Sequence, residues 1–459
     1  MSASTALDTL LGLKKVLDSA IEEVSAEWKA HGVPASLQDP SFTAQSPEDT
    51  LPSPRLYEAT KRALGAADML QALLRDPRDQ LMACAAQYFE SRALHAASIA
   101  RIPDILHQAS LEGKVDGLSA QELSQKTGYE ENKCGLHSFH SRIMRLLATN
   151  HIFNQTGPAR FSNNRTSVAL INNAPLASYI DLYGGEWYAS SQHLIEAFKD
   201  NSLALERAAF TRDRIYNSQG KTYWDYNDVN SARHDMFATA MSGSAQTNLF
   251  ALLNDYPWDK LGKATVVDVG GGIGALSLPL LERYENLSVV IQDRESVIEQ
   301  AQEHWKINLP AAVEDKRATF QVADFFQQNI VNGAEIYMLR YIMDDWNDEA
   351  CIKILSAIKA SMTHQSKVLI VEALLIPAWL PPSAISTLKI APEPLLPNYG
   401  SPQRFIHCRD LNMMNLINGT ERTASEMTSV VERAGLVLQK VWECRGAVHV
   451  TECVLPSST

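Results

Sequence analysis

A glycine-rich run, Asp268-Val-Gly-Gly-Gly-Ile-Gly274, follows the apolar stretch Val266-Val-Asp-Val269 and opens a helix-length segment from Ala275 to Arg283. In that context glycines have a chemical use, because they permit a tight turn and let a ligand approach the backbone. The next apolar stretch, Val289-Val-Ile-Gln-Asp293, ends in an acid that can accept both hydroxyls of a ribose. Another, Thr319-Phe-Gln-Val322, is followed by Asp324-Phe325, an acid for an adenine amine and a ring to cover its face. A glycine loop alone serves nicotinamide, flavin and adenosylmethionine sites alike, and either acid alone is an ordinary loop residue. In sequence, the three point to a nucleoside-bearing cofactor.

The elements that must position these residues follow from periodicity. Short apolar runs at 266–269, 287–291, 319–322, 335–339 and 367–371 alternate with helix-length segments, the pattern of an α/β, doubly wound sheet with ligands at the carboxyl ends of its strands. Upstream, Leu7, Leu10, Leu11, Leu17, Ile21 and Val24 at helical spacing predict an amphipathic helix that needs a partner surface. A Pro- and Ser-rich stretch from 32 to 54 reads as a linker or surface loop. Between Leu118 and Ile171 a capping box, Ser119 with Glu122, starts one helix, Leu136 to Ala148 forms a second, and a polar turn at Gly157 closes a short hairpin. Helix, helix and hairpin suggest a winged helix. Its second helix offers only Arg142 and Arg145 among apolar neighbours, so dimer scaffolding or a pocket wall suits it better than DNA.

The chain has 459 residues, 45% of them hydrophobic, which is enough for two or three domains with developed cores. A net charge of -12 without a basic tract argues against a nucleic-acid partner, and nothing resembles a secretory signal or a membrane span, so a cytoplasmic location is the expectation. Six cysteines lack metal or disulfide spacing, and no metal site is expected.

Six segments in order, Val267-Asp-Val-Gly-Gly-Gly-Ile-Gly274, Asp293, Ala323-Asp-Phe-Phe326, Leu339-Arg-Tyr-Ile-Met-Asp-Asp-Trp346, Val371-Glu-Ala-Leu-Leu-Ile-Pro377 and Asn418-Gly-Thr-Glu-Arg-Thr423, resemble the plant and fungal small-molecule O-methyltransferases over approximately residues 80 to 450. The resemblance implies a Rossmann-like class I methyltransferase domain behind an all-helical, winged-helix dimerisation domain, a homodimer, and S-adenosyl-L-methionine as cofactor. The division it implies is 1–80 as extension and linker, 81–240 as dimerisation domain and 241–459 as catalytic domain. It further implies that Asp268, Gly270, Gly272, Asp293, Asp324, Phe325 and Arg340 line the cofactor site.

In such methyltransferases a histidine base stands where this chain has Asp344, flanked by acids that match Glu372 and Glu421. An unperturbed Asp lies about 2.5 pKa units below His, roughly 3.4 kcal/mol less favourable for taking the same proton. Burial beside Glu372 and Glu421 would raise it and partly restore that capacity. The chain is most similar to fungal O-methyltransferase-like pericyclases of pyridone alkaloid pathways, which bind adenosylmethionine without transferring its methyl. Such reactions need no nucleophile. They require a shaped apolar cavity and a donor or positive charge on a conjugated carbonyl. Arg340, read as one helical turn before Asp344, is the candidate donor, with Asp344 orienting it or assisting loss of water. Arg340, Asp344, Glu372 and Glu421 are therefore the expected catalytic set, although Arg340 serves equally as a cofactor contact and the acids equally as structural residues. His234, Phe237, Met241 and Met413 are the expected substrate contacts, with helix core as the alternative for Met413 and a structural role for His234. Tyr183-Gly-Gly-Glu-Trp187 and the segment from Ala378 to Gln403 are expected to lid the cavity. A working O-methyltransferase and a catalytically inactive, cofactor-binding partner subunit remain open beside the pericyclase.

Overall fold

Two long helices begin the chain, and both starts are written in the sequence. The computed structural model describes residues 5–40, 51–129, 139–380 and 388–457. Thr5 and Asp8 form a capping box for the helix Ala6–His31, while Ser53 caps Pro54–Leu74, where proline stands in the first turn and loses no helical hydrogen bond. The predicted partner surface for the first helix is the second, together with Ala391, Leu395 and Tyr399 from far along the chain. Leu13 and Ala20 are buried there, but Leu7 and Ile21 remain 62% and 51% exposed, so the buried stripe is narrower than the apolar periodicity. The core of the predicted linker, 41–50, lies outside the described residues.

The winged unit has β1 (Leu118–Ser119), β2 (Phe153–Gly157) and β3 (Arg160–Asn163) in the order β1-β3-β2. The capping box of Ser119 and Glu122 starts the helix Ala120–Thr127, as its residues predict. The second helix runs Phe139–Thr149, and the first residues predicted for it lie outside the described residues. Leu118, Leu123, Met144, Leu147, Phe153 and Phe161 form its core.

All five apolar runs become strands: β4 (Ala264–Val269), β5 (Leu287–Asp293), β6 (Ala318–Val322), β7 (Ile336–Arg340) and β8 (Lys367–Glu372). A small parallel pair, β9 (Leu374–Leu375) with β10 (Arg422–Thr423), is followed by β11 (Val437–Glu443) and β12 (His449–Val454), two strands absent from the sequence reading. The sheet order is β11-β12-β8-β7-β4-β5-β6, parallel from β8 to β6 and antiparallel at β12 and β11. Alternation sends Val266, Val289, Ile291 and Leu369 into one apolar layer and Val267, Val269, Leu339 and Ile370 into the other. One 25-residue helix, Ser231–Asp255, passes through the expected boundary at 240. No helix of the described residues is long and apolar enough to cross a membrane.

The glycine loop is shaped by what it must pass. Gly274 has φ of 83°, and a Cβ there would meet Trp305 Nε1 at 2.6 Å, while the same indole N–H donates to Ile273 O at 2.9 Å. Gly274→Ala therefore combines backbone strain with a clash, and is expected to lower unfolding free energy in urea by about 1–3 kcal/mol; an unchanged midpoint would show that the loop does not need glycine there.

Candidate active site

Where β4 meets β5 on one side and β7 on the other, the direction of winding reverses and a crevice opens at the carboxyl ends of the strands. The glycine loop is pinned there: Gly270 and Gly271 N–H groups donate to Gln292 O at 2.8 and 3.1 Å, and Gly272 N–H donates to Asp293 Oδ2 at 2.9 Å. Apart from its own chain neighbours, no atom of the described residues lies within 4 Å of where a Cβ on Gly272 would be, which leaves the backbone open as a cradle. Asp268 is buried and accepts from Ser277 Oγ; burial pushes its pKa up, opposed by that bond and by the nearby Arg340 charge. Ala323 N–H donates to Asp293 O at 3.0 Å, which brings Asp324 and Phe325 to the same edge. Asp324 is exposed and Phe325 half-buried, its ring 6.2 Å from Trp346. An open backbone, an acid at the end of β5 and an adjacent acid–aromatic pair suit the ribose and base of a nucleoside, so these residues fit the expected cofactor.

Arg340 closes β7 rather than standing a helical turn before Asp344. Tyr341 follows at φ of 53°, and this left-handed residue swings the chain into the short turn Met343–Asp345. Buried Arg422 fastens the turn by donating to Met343 O at 2.7 Å and Trp346 O at 2.8 Å, and Thr420 N–H donates to Asp344 O at 2.9 Å. The pairing of β9 with β10 aligns Leu374 with Arg422; Glu421 stands one residue before that register, and Glu372, the last residue of β8, two before it.

The group that organises these acids is Arg409, on the helix Ser401–Ile417. Its Nη2 donates to Asp344 Oδ2 at 2.6 Å, and its Nε stands 2.7 Å from Glu421 Oε1 without the alignment of a hydrogen bond. Asp344 Oδ1, Glu372 Oε2 and both Glu421 oxygens are buried without a hydrogen bond among the described residues. Burial, followed by the Asp344 charge, pushes the Glu421 carboxyl up to about 8 and holds Glu372 and Asp345 well above the usual carboxylate range. Sequence reasoning missed Arg409, yet it precedes Met413 by four residues and so shares its helix face.

Between this cluster and the helices of the N-terminal half lies a cavity of about 290 Å³. Phe237, Met241 and Met413 line it as expected, and Tyr183 and Trp187 line it from the predicted lid segment. Tyr179, Tyr223, Trp224 and Tyr341 join them, with edge-to-face packing between Tyr183 and Trp187 at 4.8 Å and between Tyr223 and Phe237 at 5.5 Å. Arg340, Asp344, Asp345 and Arg409 supply the charged wall. His234 is exposed at the start of its helix and outside this lining, so a substrate contact there finds no geometric support. Glu372 and Glu421 also stand outside the lining, buried. From the segment Ala378–Gln403, residues 381–387 lie outside the described residues and none of the others lines the cavity; Ala391, Leu395 and Tyr399 pack instead on the N-terminal helices.

Arg409→Met leaves Asp344 buried without its cationic partner, and is expected to cost about 3–5 kcal/mol of stability in urea titrations at pH 7.5. A loss below about 1 kcal/mol would contradict the ion-pair account. Glu421 itself sets a slope of known sign. A carboxyl raised from 4.5 to about 8 by folding binds its proton more tightly in the folded chain, so between those values stability falls as pH rises. Glu421→Gln is expected to flatten that fall between pH 5.5 and 7.5, and an unaltered slope would assign it to other groups.

A model of the O-methyltransferase domain matches residues 201–437, and a model of the O-methyltransferase dimerisation domain matches residues 82–173. The chain is 36% identical to the O-methyltransferase cicE of Emericella nidulans, over 96% of this chain and 88% of that protein. It is likewise 36% identical to the O-methyltransferase gedA of Aspergillus terreus, over 97% and 96%. Among solved structures, the mitomycin 7-O-methyltransferase MmcR aligns with a TM-score of 0.63 at 23% identity, covering 85% of this chain and 99% of that one. The O-methyltransferase NcsB1, solved with S-adenosylmethionine and 2-hydroxy-5-methyl naphthoic acid, aligns with a TM-score of 0.58 at 20% identity, covering 80% and 96%. With a glycine cradle and paired acids that fit S-adenosyl-L-methionine as its cofactor, and with both family domains in place, the chain belongs to the O-methyltransferase family.

Proposed function

We propose that this protein binds adenosylmethionine without spending its methyl group, and acts as a pericyclase that dehydrates or cyclises a planar, polyketide-derived pyridone intermediate through a quinone methide. One observation carries the reading: Asp344, which the family resemblance sets at the position of the base, is ion-paired to Arg409, and among the described residues no histidine, lysine or cysteine lines the cavity. What the walls offer instead is aromatic surface for a flat conjugated ligand, and Arg340, which has no carboxylate partner among the described residues, to donate to an oxygen on which negative charge builds. Asp345, whose surroundings favour the protonated form, can give its proton to a departing hydroxyl. The C–O bond breaks, water leaves, and the acidic ring hydroxyl loses its own proton to Asp344, giving a neutral quinone methide. Asp344 then releases that proton to solvent and solvent returns one to Asp345, which restores both acids. Cyclisation needs no further proton, only one reactive conformer held between Met413 and the aromatic wall. When bound, the cofactor would supply a fixed sulfonium charge. The same reading assigns residues 1–80 to an extension, 81–240 to dimerisation and 241–459 to catalysis, in a cytosolic homodimer.

Methyl transfer to an aromatic or polyketide hydroxyl is the second reading. It is favoured by the relatives, which are O-methyltransferases by name, with Asp344 or Glu421 as the base. The deciding experiment incubates the purified protein with adenosylmethionine and either phenols or dehydration-prone pyridone alcohols, and follows product mass. Loss of water or a stereoselective isomer is expected, with adenosylmethionine unconsumed and the rate reduced about 10²–10³-fold in Arg340→Ala. A product heavier by one methyl, formed with adenosylhomocysteine, would overturn cyclisation and restore methyl transfer.

A further inference from the structure

Besides its packing on Ala391 and Leu395, the N-terminal helical pair meets, among the described residues, two places that lead directly to a cavity wall. The first is Tyr399, fully buried, whose hydroxyl donates to Glu58 Oε1 at 2.5 Å and whose ring lies under Lys61 Nζ at 4.2 Å from its centroid. Helix and loop approach closely here, since a Cβ on Gly65 would meet Tyr399 O at 2.4 Å. Two residues later the helix Ser401–Ile417 begins, and Arg404 Nη2 donates to Asp68 Oδ1 at 2.9 Å. That helix carries Phe405, Arg409 and Met413 into the cavity. The second place is the turn before β12: Tyr57 hydroxyl donates to Gly446 O at 3.2 Å, and Arg445, paired with Asp255 at 2.7 Å, donates to Pro52 O at 2.6 Å. Ala447, which follows Gly446, donates its N–H to Asn248 Oδ1 at 2.9 Å, and both line the cavity.

We infer that the N-terminal pair is a positioning element for the substrate cavity, in which Tyr399 sets the placement of the helix bearing Arg409 and Tyr57 sets the placement of Ala447 and Asn248. The inference concerns the cavity and not the reaction, so it holds whether methyl transfer or cyclisation takes place there. Neither residue has a described contact with the glycine loop, and this separates positioning from general stability. The two effects are read by different ligands: adenosylhomocysteine reports the cofactor crevice, and 1-hydroxy-2-naphthoic acid, a flat anionic probe, reports the cavity through quenching of Trp187 and Trp224.

The test uses the full chain carrying Tyr57→Phe and Tyr399→Phe together, which removes two hydroxyls and leaves both rings. Calorimetry is expected to give an adenosylhomocysteine affinity unchanged within about twofold, while probe affinity falls about tenfold, the effect of losing two hydrogen bonds that hold the walls. Backbone hydrogen exchange is expected to quicken in 401–417 and 444–448 and to stay unchanged in 268–274; exchange alone decides if the probe binds the parent chain too weakly to measure. Gly65→Ala, which forces the helix from Tyr399 O, is expected to act in the same direction. Unchanged probe affinity and exchange would overturn the inference, and so would a loss of adenosylhomocysteine affinity equal to that of the probe.

Discussion

A guanidinium between two buried carboxylates governs the electrostatics of the charged cavity wall. Burying an acid without a partner is costly, and four acids converge here: Asp344, Asp345, Glu372 and Glu421. Arg409 compensates Asp344 and Glu421 directly, while Arg422 holds the backbone of the turn that presents Asp344. The remaining acids respond to burial and to the Asp344 charge by favouring their protons. A site assembled in this way keeps protons in place near neutral pH and presents cations to whatever enters. An imidazole at position 344 would have offered the opposite.

The cofactor half of the site was legible because its determinants are local. Central strands buried on both faces read as near-unbroken apolar runs, so β4, β7 and β8 declared themselves, β5 and the edge strand β6 showed shorter runs, and the glycines and Asp293 lie at strand ends where the fold concentrates ligands. β11 and β12 stayed hidden for the converse reason. β12 places Thr451 and Glu452 in the interior, where Glu452 takes Lys367 at 2.8 Å and the Tyr256 hydroxyl at 3.0 Å, and such polar residues conceal a strand from any apolar count.

The substrate half was legible only in part, since its contacts are assembled from distant segments. Phe237 and Met241, four apart on one helix, both face the cavity, whereas His234 sits on the first turn of that helix, past the end of the cavity. Arg409 occurs in a segment whose polar residues suggest a solvated helix, and beyond its spacing from Met413 its place is revealed by the ion pair with Asp344, 65 positions earlier. The left-handed backbone at Tyr341 could not be inferred from a tyrosine, a residue seldom found there, and it is what separates Arg340 from the turn that carries the acids.

The coupling of Asp344 to Arg409 also bears on how such a site changes over generations. A single exchange at 344 that removes its charge leaves a buried guanidinium half-compensated, and a single exchange at 409 strands two acids, so either step alone passes through a less stable chain. Variation at the two positions is therefore epistatic. Lineages that lose or regain an imidazole at 344 should carry a matching replacement at 409, and the pair should be inherited as one unit.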